Sequence, residues 1–141
     1  LMTDRGMDAK AIEDLLYRRS GLLGLSGLSA DVRDLEASDR PEAKQALDYF
    51  CSRVAVGIAA MAGELGGLDG VIFTAGIGEN APHIRSAISQ RLGWLGASLD
   101  PVANLAGQRD LSVAGSRLAL CIIPTDEEGE IAAQTARVCG L

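Results

Sequence analysis

Apolar residues recur along the chain at two periods, one helical and one strand-like. Their alternation predicts helices joined by short buried strands. Ile12, Leu15 and Leu16 share one face of a helix from about Ala9 to Arg19, with Asp8 as its cap and Gly21 as its stop. Leu47, Phe50, Val54, Ile58, Met61 and Leu65 follow spacings of three and four and form one continuous stripe on a long helix from about Arg40 to Leu65. Ser38 or Asp39 would cap it, Pro41 falls in the first turn where its missing N–H costs little, and Gly66-Gly67 ends it. Val71-Ile72-Phe73-Thr74-Ala75 and Leu118 to Ile123 are short apolar runs bounded by glycine or proline, as buried strands are. Between them a helix is expected from an Asn80 cap to about Arg91, with Ile84 and Ile88 inward. A last helix from about Asp126 to Val138 turns Ile131, Thr135 and Val138 inward, and Thr125 with Glu128 has the spacing of a capping box.

Two stretches resist this reading. Residues 20–35, with Gly21, Gly24 and Gly27 among leucines, hold too much glycine for a stable helix and too much leucine for a solvated linker, so a packed irregular segment is expected. Short strands near Ala97 and Leu99 and near Ser112 and Val113 complete the pattern. Strands separated by helices imply an α/β sheet with parallel connections. Two secure strands are thin cover for so many amphipathic helices, and the chain opens on Leu1 rather than methionine. Both features lead us to expect a piece of a longer protein.

Composition narrows the function classes. Hydrophobic residues make up 48% and charged residues 23% of the 141, a globular rather than disordered balance. The net charge is −6, and Lys10 and Lys44 are the only lysines, so a nucleic-acid surface is excluded for want of a cationic patch. Cys51, Cys121 and Cys139 are odd in number, far apart and set among apolar residues, so they are expected to be buried thiols in a reducing cytoplasm. His83 is the only histidine and no CxxC occurs, which excludes a structural zinc site; His83 itself is expected exposed in the first turn of its helix. No apolar run approaches the ~18 residues of a membrane span, and residues 1–10 lack the apolar core of a leader, so no membrane association is expected.

Three segments carry chemistry. In Phe73-Thr74-Ala75-Gly76-Ile77-Gly78-Glu79-Asn80 a buried strand hands over to a helix through two glycines, at the carboxyl end where ligands of open α/β sheets bind. Backbone there can approach a phosphate, and Glu79 and Asn80 can meet a sugar or base; the same residues also suit a plain tight turn with Asn80 as cap. In Asp31-Val32-Arg33 an extended backbone would point both charges one way, toward a ribose and a base, although a surface ion pair uses the same residues. In Thr125-Asp126-Glu127-Glu128 a carboxylate can hold Mg²⁺, or the acids can simply complement a helix N-terminus; Glu127 has no capping role and is the better metal candidate.

Taken together, SGLLGLSGLSADVRD (Ser20 to Asp34), DGVIFTAGIGENAPHIR (Asp69 to Arg85) and IPTDEEGEIA (Ile123 to Ala132) resemble, in order, the C-terminal part of the acetate kinase family, which belongs to the actin-like superfamily of acetate and sugar kinases. The resemblance covers essentially all of the chain, and the middle motif is highly specific. It implies an α/β fold: the C-terminal part of an actin-like, ribonuclease H-like ATPase-domain kinase, with a small mixed or parallel sheet flanked by long helices. Residues 1–141 would be most of the second, nucleotide-binding domain, with the terminal helix packing toward an absent first domain. It further implies that Asp31, Val32 and Arg33 contact adenosine, that Gly76, Ile77, Gly78, Glu79 and Asn80 form an ATP-contacting loop, and that Glu127 is a carboxylate for Mg²⁺ or Mn²⁺. Val32, Asp126 and Gly129 depart mildly from the pattern, and Gly129 would cost the last helix about 1 kcal/mol. The family's phosphate-gripping and catalytic residues match nothing in this chain. The partners implied are ATP or ADP, acetate and acetyl phosphate, and a second copy in a homodimer. A propionate or butyrate kinase, or a non-catalytic nucleotide-binding or dimerisation module, remains an alternative.

Overall fold

The computed structural model describes residues 1–140. It forms two compact units, one of Leu1–Gly67 with Ala87–Leu92, the other of Leu68–Ser86 with the chain from Gly93 onward.

The first unit is helical. A short α1 (Met2–Arg5) precedes α2 (Ala9–Arg18), whose cap is Asp8 as expected; its Oδ1 accepts from the Ala11 N–H at 2.7 Å. The stretch expected to be irregular instead holds two short helices, α3 (Gly21–Ser26) and α4 (Val32–Glu36). Gly21 and Gly27 both adopt left-handed φ, +59° and +64°, so the glycines make the turns and leave the leucines between them free to coil. Tertiary burial then outweighs poor helix propensity: Leu22, Leu28 and Leu47 pack on Leu35, Ala43 and Ala46.

The long helix α5 (Pro41–Leu65) ends at Gly66 with φ +73°. No side chain caps its start; Ser38 Oγ instead accepts from the Arg40 N–H at 3.3 Å. Its buried line is not the stripe of large residues but Ala43, Ala46, Cys51, Ala55 and Ala62. The large residues lie half-buried or outside, with Met61 56% and Leu65 72% exposed. At Ala43 and Ala46 small side chains win this face because α3 and α4 pack directly on it. By length and composition α5 is also long and apolar enough to cross a membrane, contrary to the sequence expectation. In this unit it serves as the helix on which α3 and α4 pack.

In the second unit β1 (Gly70–Phe73) pairs in parallel with β2 (Ala119–Ile122), from Gly70 opposite Ala119 to Phe73 opposite Ile122. The two weaker strands reduce to single bridges, Ala97 with Leu118 and Leu99 with Ser112. A further helix, α8 (Pro101–Leu105), lies between them; its Asp100-Pro101 start is a legible cap, with Asp100 Oδ1 accepting from Val102 and Ala103 N–H at 2.8 and 3.1 Å. Phe73, Leu111, Leu118, Leu120 and Ile122 form the buried apolar set around the strands. Two helices follow β1, α6 (Ala75–Asn80) and α7 (Pro82–Arg91), and α9 (Glu127–Cys139) follows β2. Ile84 and Ile88 are buried as expected, and His83 is exposed in the first turn of α7.

Two expectations fail at the C-terminal helix. Ile131 is 66% and Val138 87% exposed, and Thr135 bonds only back to the Ile131 carbonyl, so α9 buries nothing against the described residues. The Thr125/Glu128 capping box does not form; Asp126 takes the cap, its Oδ1 accepting from the Gly129 N–H at 3.0 Å. The cysteines also divide. Cys51 is buried, and that burial pushes its thiol pKa up, whereas Cys121 is half-buried and Cys139 exposed.

The small-residue line of α5 can be tested by volume. Ala46→Leu, at a site 1% exposed, should lower urea-unfolding stability by about 1–3 kcal/mol through overpacking. Leu65→Ala at the exposed end should change it by less than about 0.5 kcal/mol. A larger cost for Leu65→Ala than for Ala46→Leu would restore the large-residue stripe as the packing face.

Candidate functional site

Both parallel strands deliver their carboxyl ends to the same edge of the second unit, and a chemistry-bearing segment follows each. After β1 the chain is extended at Thr74 and then left-handed at Ala75, φ +57°, the only non-glycine residue in that region among the described residues. Such a conformation costs roughly 1–2 kcal/mol for a residue with a Cβ. The Gly76–Asn80 segment, expected as a glycine turn leading into a helix capped by Asn80, winds instead into a helix of its own, α6. Its two glycines differ. A Cβ on Gly78 would lie 2.9 Å from the Phe73 carbonyl carbon, so the strand's own backbone demands glycine there. A Cβ on Gly76 would meet nothing within 4 Å, so nothing in the fold demands it.

Asn80 does not cap the next helix. Its Nδ2 donates back to the Gly76 carbonyl at 2.9 Å and closes α6 on itself. Behind this turn lies Arg85, the last residue of the Asp69–Arg85 motif, to which no local sequence signature assigns a role. Arg85 is 1% exposed. Its Nη1 donates to the carbonyls of Gly78 and Glu79, both at 2.9 Å, its Nε to Asn104 Oδ1 at 2.8 Å and its Nη2 to the Asn104 carbonyl at 2.7 Å. Asn104 in turn donates to the Pro82 carbonyl at 2.9 Å. Burial lowers the Arg85 pKa. One signal was available: Ala81, Arg85, Ile88 and Leu92 are all buried and follow the spacing of one helix face, so the arginine stands at an apolar position of that stripe.

After β2 the turn runs through Thr125 and Asp126 into α9. The Thr125 N–H and hydroxyl both donate to Glu79 Oε1, at 3.1 and 3.4 Å, joining the segments that follow the two strands. This is why Thr125 does not cap α9. Glu127, the first residue of that helix, is exposed, and its carboxylate has no hydrogen bond or ion pair among the described residues. No group of three or more histidine, cysteine, aspartate or glutamate side chains is arranged to enclose a metal among the described residues. A single free carboxylate suits Mg²⁺, which keeps waters and takes its remaining ligands from phosphates.

Asp31, Val32 and Arg33 belong to the first unit. Only Asp31 is extended: it is the cap of α4 and accepts from the Arg33 N–H at 2.9 Å, while Val32 and Arg33 lie in the helix's first turn. The two side chains meet as cap and first turn, with Arg33 Nε on Asp31 Oδ1 at 3.1 Å and Nη2 on Oδ2 at 2.5 Å. The side-chain bonds from Arg33, then its backbone N–H, hold the Asp31 carboxyl down at about 2, and Asp31 raises the Arg33 pKa. The guanidinium remains 87% exposed and is held in one plane by its partner, whereas Val32 is buried at 4%.

The family model described as the acetokinase family matches residues 1–133. The chain is similar to the acetate kinase of Rhizobium meliloti, 51% identical over 96% of this chain and 34% of that protein. Among solved structures it is similar to Porphyromonas gingivalis acetate kinase, with TM-score 0.88 and 32% identity over 99% of this chain and 36% of that one. It is also similar to a propionate kinase from Francisella tularensis, with TM-score 0.85 and 34% identity over 93% of this chain and 34% of that one. The chain thus spans about a third of the length of these relatives. The structures it matches share the actin-like ATPase fold.

Two measurements check the geometry. The folded-state Asp31 pKa is about 2 against an ordinary 3.8, so its stabilisation is fully present above pH 3.8 and is lost as pH falls toward 2. Carboxyl NMR should place the Asp31 titration near 2, and Arg33→Ala should return it toward 3.8; a midpoint unmoved by that substitution would show the pair is not formed in solution. Separately, Gly78→Ala should lower unfolding stability by about 1–3 kcal/mol, and Gly76→Ala should leave it unchanged or raise it by up to about 1 kcal/mol. Equal losses at both glycines would contradict the contact with Phe73.

Proposed function

Since the chain belongs to the acetokinase family, we propose that it is the nucleotide-binding part of an acetate kinase, which reversibly transfers the γ-phosphoryl of ATP to acetate to give acetyl phosphate and ADP. The observation that carries this reading is the pairing of two loops at one sheet edge. The glycine-bearing turn after β1 and the acidic turn after β2 are tied by Glu79 and Thr125, which supports reading them as the nucleotide loop and the metal carboxylate of one site.

In this reading the backbone of Gly76 to Asn80 lines the nucleotide slot. Gly76, whose glycine the fold does not require, leaves room for the ligand. Arg33 flanks the adenine with the exposed face of its guanidinium. Asp31 reaches the ribose while sharing its carboxylate with Arg33, and Val32, being buried, contributes backbone alone. Glu127 holds Mg²⁺ or Mn²⁺, which when bound neutralises charge on the phosphates. The cationic groups that grip the phosphates, the catalytic residues and the acetate pocket come from outside this chain, in keeping with its acidic balance and few lysines. The exposed α9 packs toward that remaining part. The enzyme acts in the cytoplasm as a homodimer, with the exposed apolar residues Val56, Met61 and Leu65 of α5 available to a partner.

A propionate or butyrate kinase is the second reading, favoured by the likeness to the Francisella tularensis propionate kinase. The intact protein, assayed for ADP formation with acetate, propionate and butyrate in turn, should turn over acetate fastest; preference for a longer acid supports the second reading, and no turnover of any rejects both. In calorimetry Arg33→Ala should weaken Mg·ADP binding about tenfold, the scale of a stacked cation. Unchanged affinity would remove Arg33 from the adenine site.

A further inference from the structure

We propose that Glu79 is a positioning residue for the metal-bearing turn rather than a ligand of the nucleotide, an inference that rests on the nucleotide and metal roles proposed above. Three observations carry it. First, Oε1 of the Glu79 carboxylate accepts both donors of Thr125, the backbone N–H at 3.1 Å and the hydroxyl at 3.4 Å, across 46 residues of chain. Thr125 stands two residues before Glu127, so this bond sets where the turn leaves β2 and how α9 begins. Second, the carbonyl of Glu79 is held from behind by the buried guanidinium of Arg85 at 2.9 Å. Glu79 is therefore anchored through its backbone to the α7–α8 side and through its side chain to the β2–α9 turn. Third, Asp126 is committed to capping α9 through the Gly129 N–H. Glu127 is left as a free carboxylate whose direction follows from the turn.

A carboxylate accepting a backbone N–H is a strong, directional bond. Partners that orient a metal ligand without touching the metal typically change metal affinity by 10–100-fold when removed. Glu79 sits one step further out, since it holds the turn rather than Glu127 itself. Its loss should therefore fall at the low end of that range and appear in the metal-linked part of nucleotide binding.

The experiment is calorimetric titration of the intact protein with ADP, once in EDTA and once in saturating Mg²⁺, for wild type, Glu79→Ala, Glu79→Gln and Glu127→Ala. Wild type should bind ADP more tightly with Mg²⁺. Glu79→Ala should reduce that Mg²⁺-dependent gain about tenfold and shift the EDTA affinity less than twofold. Glu79→Gln keeps a carbonyl acceptor in the place of Oε1 and should restore most of the gain. In the Glu127→Ala background, Glu79→Ala should have no further effect on the gain, because both act through one metal ligand. Loss of ADP affinity in EDTA on Glu79→Ala, with the Mg²⁺ gain intact, would make Glu79 a nucleotide ligand and overturn the proposal. So would a full Mg²⁺ gain in Glu79→Ala, or failure of Glu79→Gln to restore it. Wild type that binds no ADP would instead reject the nucleotide reading, and wild type with no Mg²⁺ gain would reject the metal role of Glu127.

Discussion

A guanidinium withdrawn from water has to find carbonyl or carboxylate oxygens, and Arg85 finds carbonyls. Its bonds to Gly78, Glu79 and Asn104 tie α6, α7 and α8 into one unit. No carboxylate neutralises it among the described residues, so its charge is balanced by backbone and amide dipoles alone. Replacing either set of partners would leave buried donors unmet, which is costly in a low-dielectric interior. The segment after β1, α6 itself, can therefore carry a left-handed alanine and a glycine pressed on Phe73 without relaxing.

From that anchored turn the site grows outward by one further bond. Glu79 reaches the Thr125 N–H, and the segment after β2 is placed relative to the segment after β1. Asp126 then caps α9 and Glu127 is left free. Asp126 and Glu127 thus differ, one held by a backbone donor and the other left exposed. The first unit supplies a separate device. Asp31 caps α4 and at the same time holds the Arg33 side chain, so one carboxylate fixes both a helix start and a flat, exposed cation.

Much of the architecture was legible in the residues. The start of α2, the span of α5, the two strands and the inward Ile84 and Ile88 follow from periodicity and from Asp8, Pro41 and Gly66, all of which act within a turn of themselves, whereas α2 stops at Arg18 and the expected stop, Gly21, opens α3. Where several local solutions competed, the residues alone did not decide. Ser20 to Leu35 looked too rich in glycine to coil, yet Leu22, Leu28 and Leu35 gain burial against α5 and the glycines fall at the turns. The large-residue stripe of α5 was real as a pattern, but close helix packing selected its alanines. Asn80 and Thr125 both carried cap signatures, and both were diverted, one to Gly76 and the other to Glu79.

The residues by themselves determined the long helices α2, α5, α7 and α9, the two paired strands, which strand ends carry glycine or acid, and the family to which the chain belongs. Those properties live in spacings of a few residues, where propensity and period act. The tertiary structure alone decided which donor meets which acceptor: Arg85 with the carbonyls of α6, and Glu79 with Thr125. A hydrogen bond across 46 residues depends on a distance below about 3.5 Å. Local periodicity encodes no such distance; only the packed strands and helices bring it about.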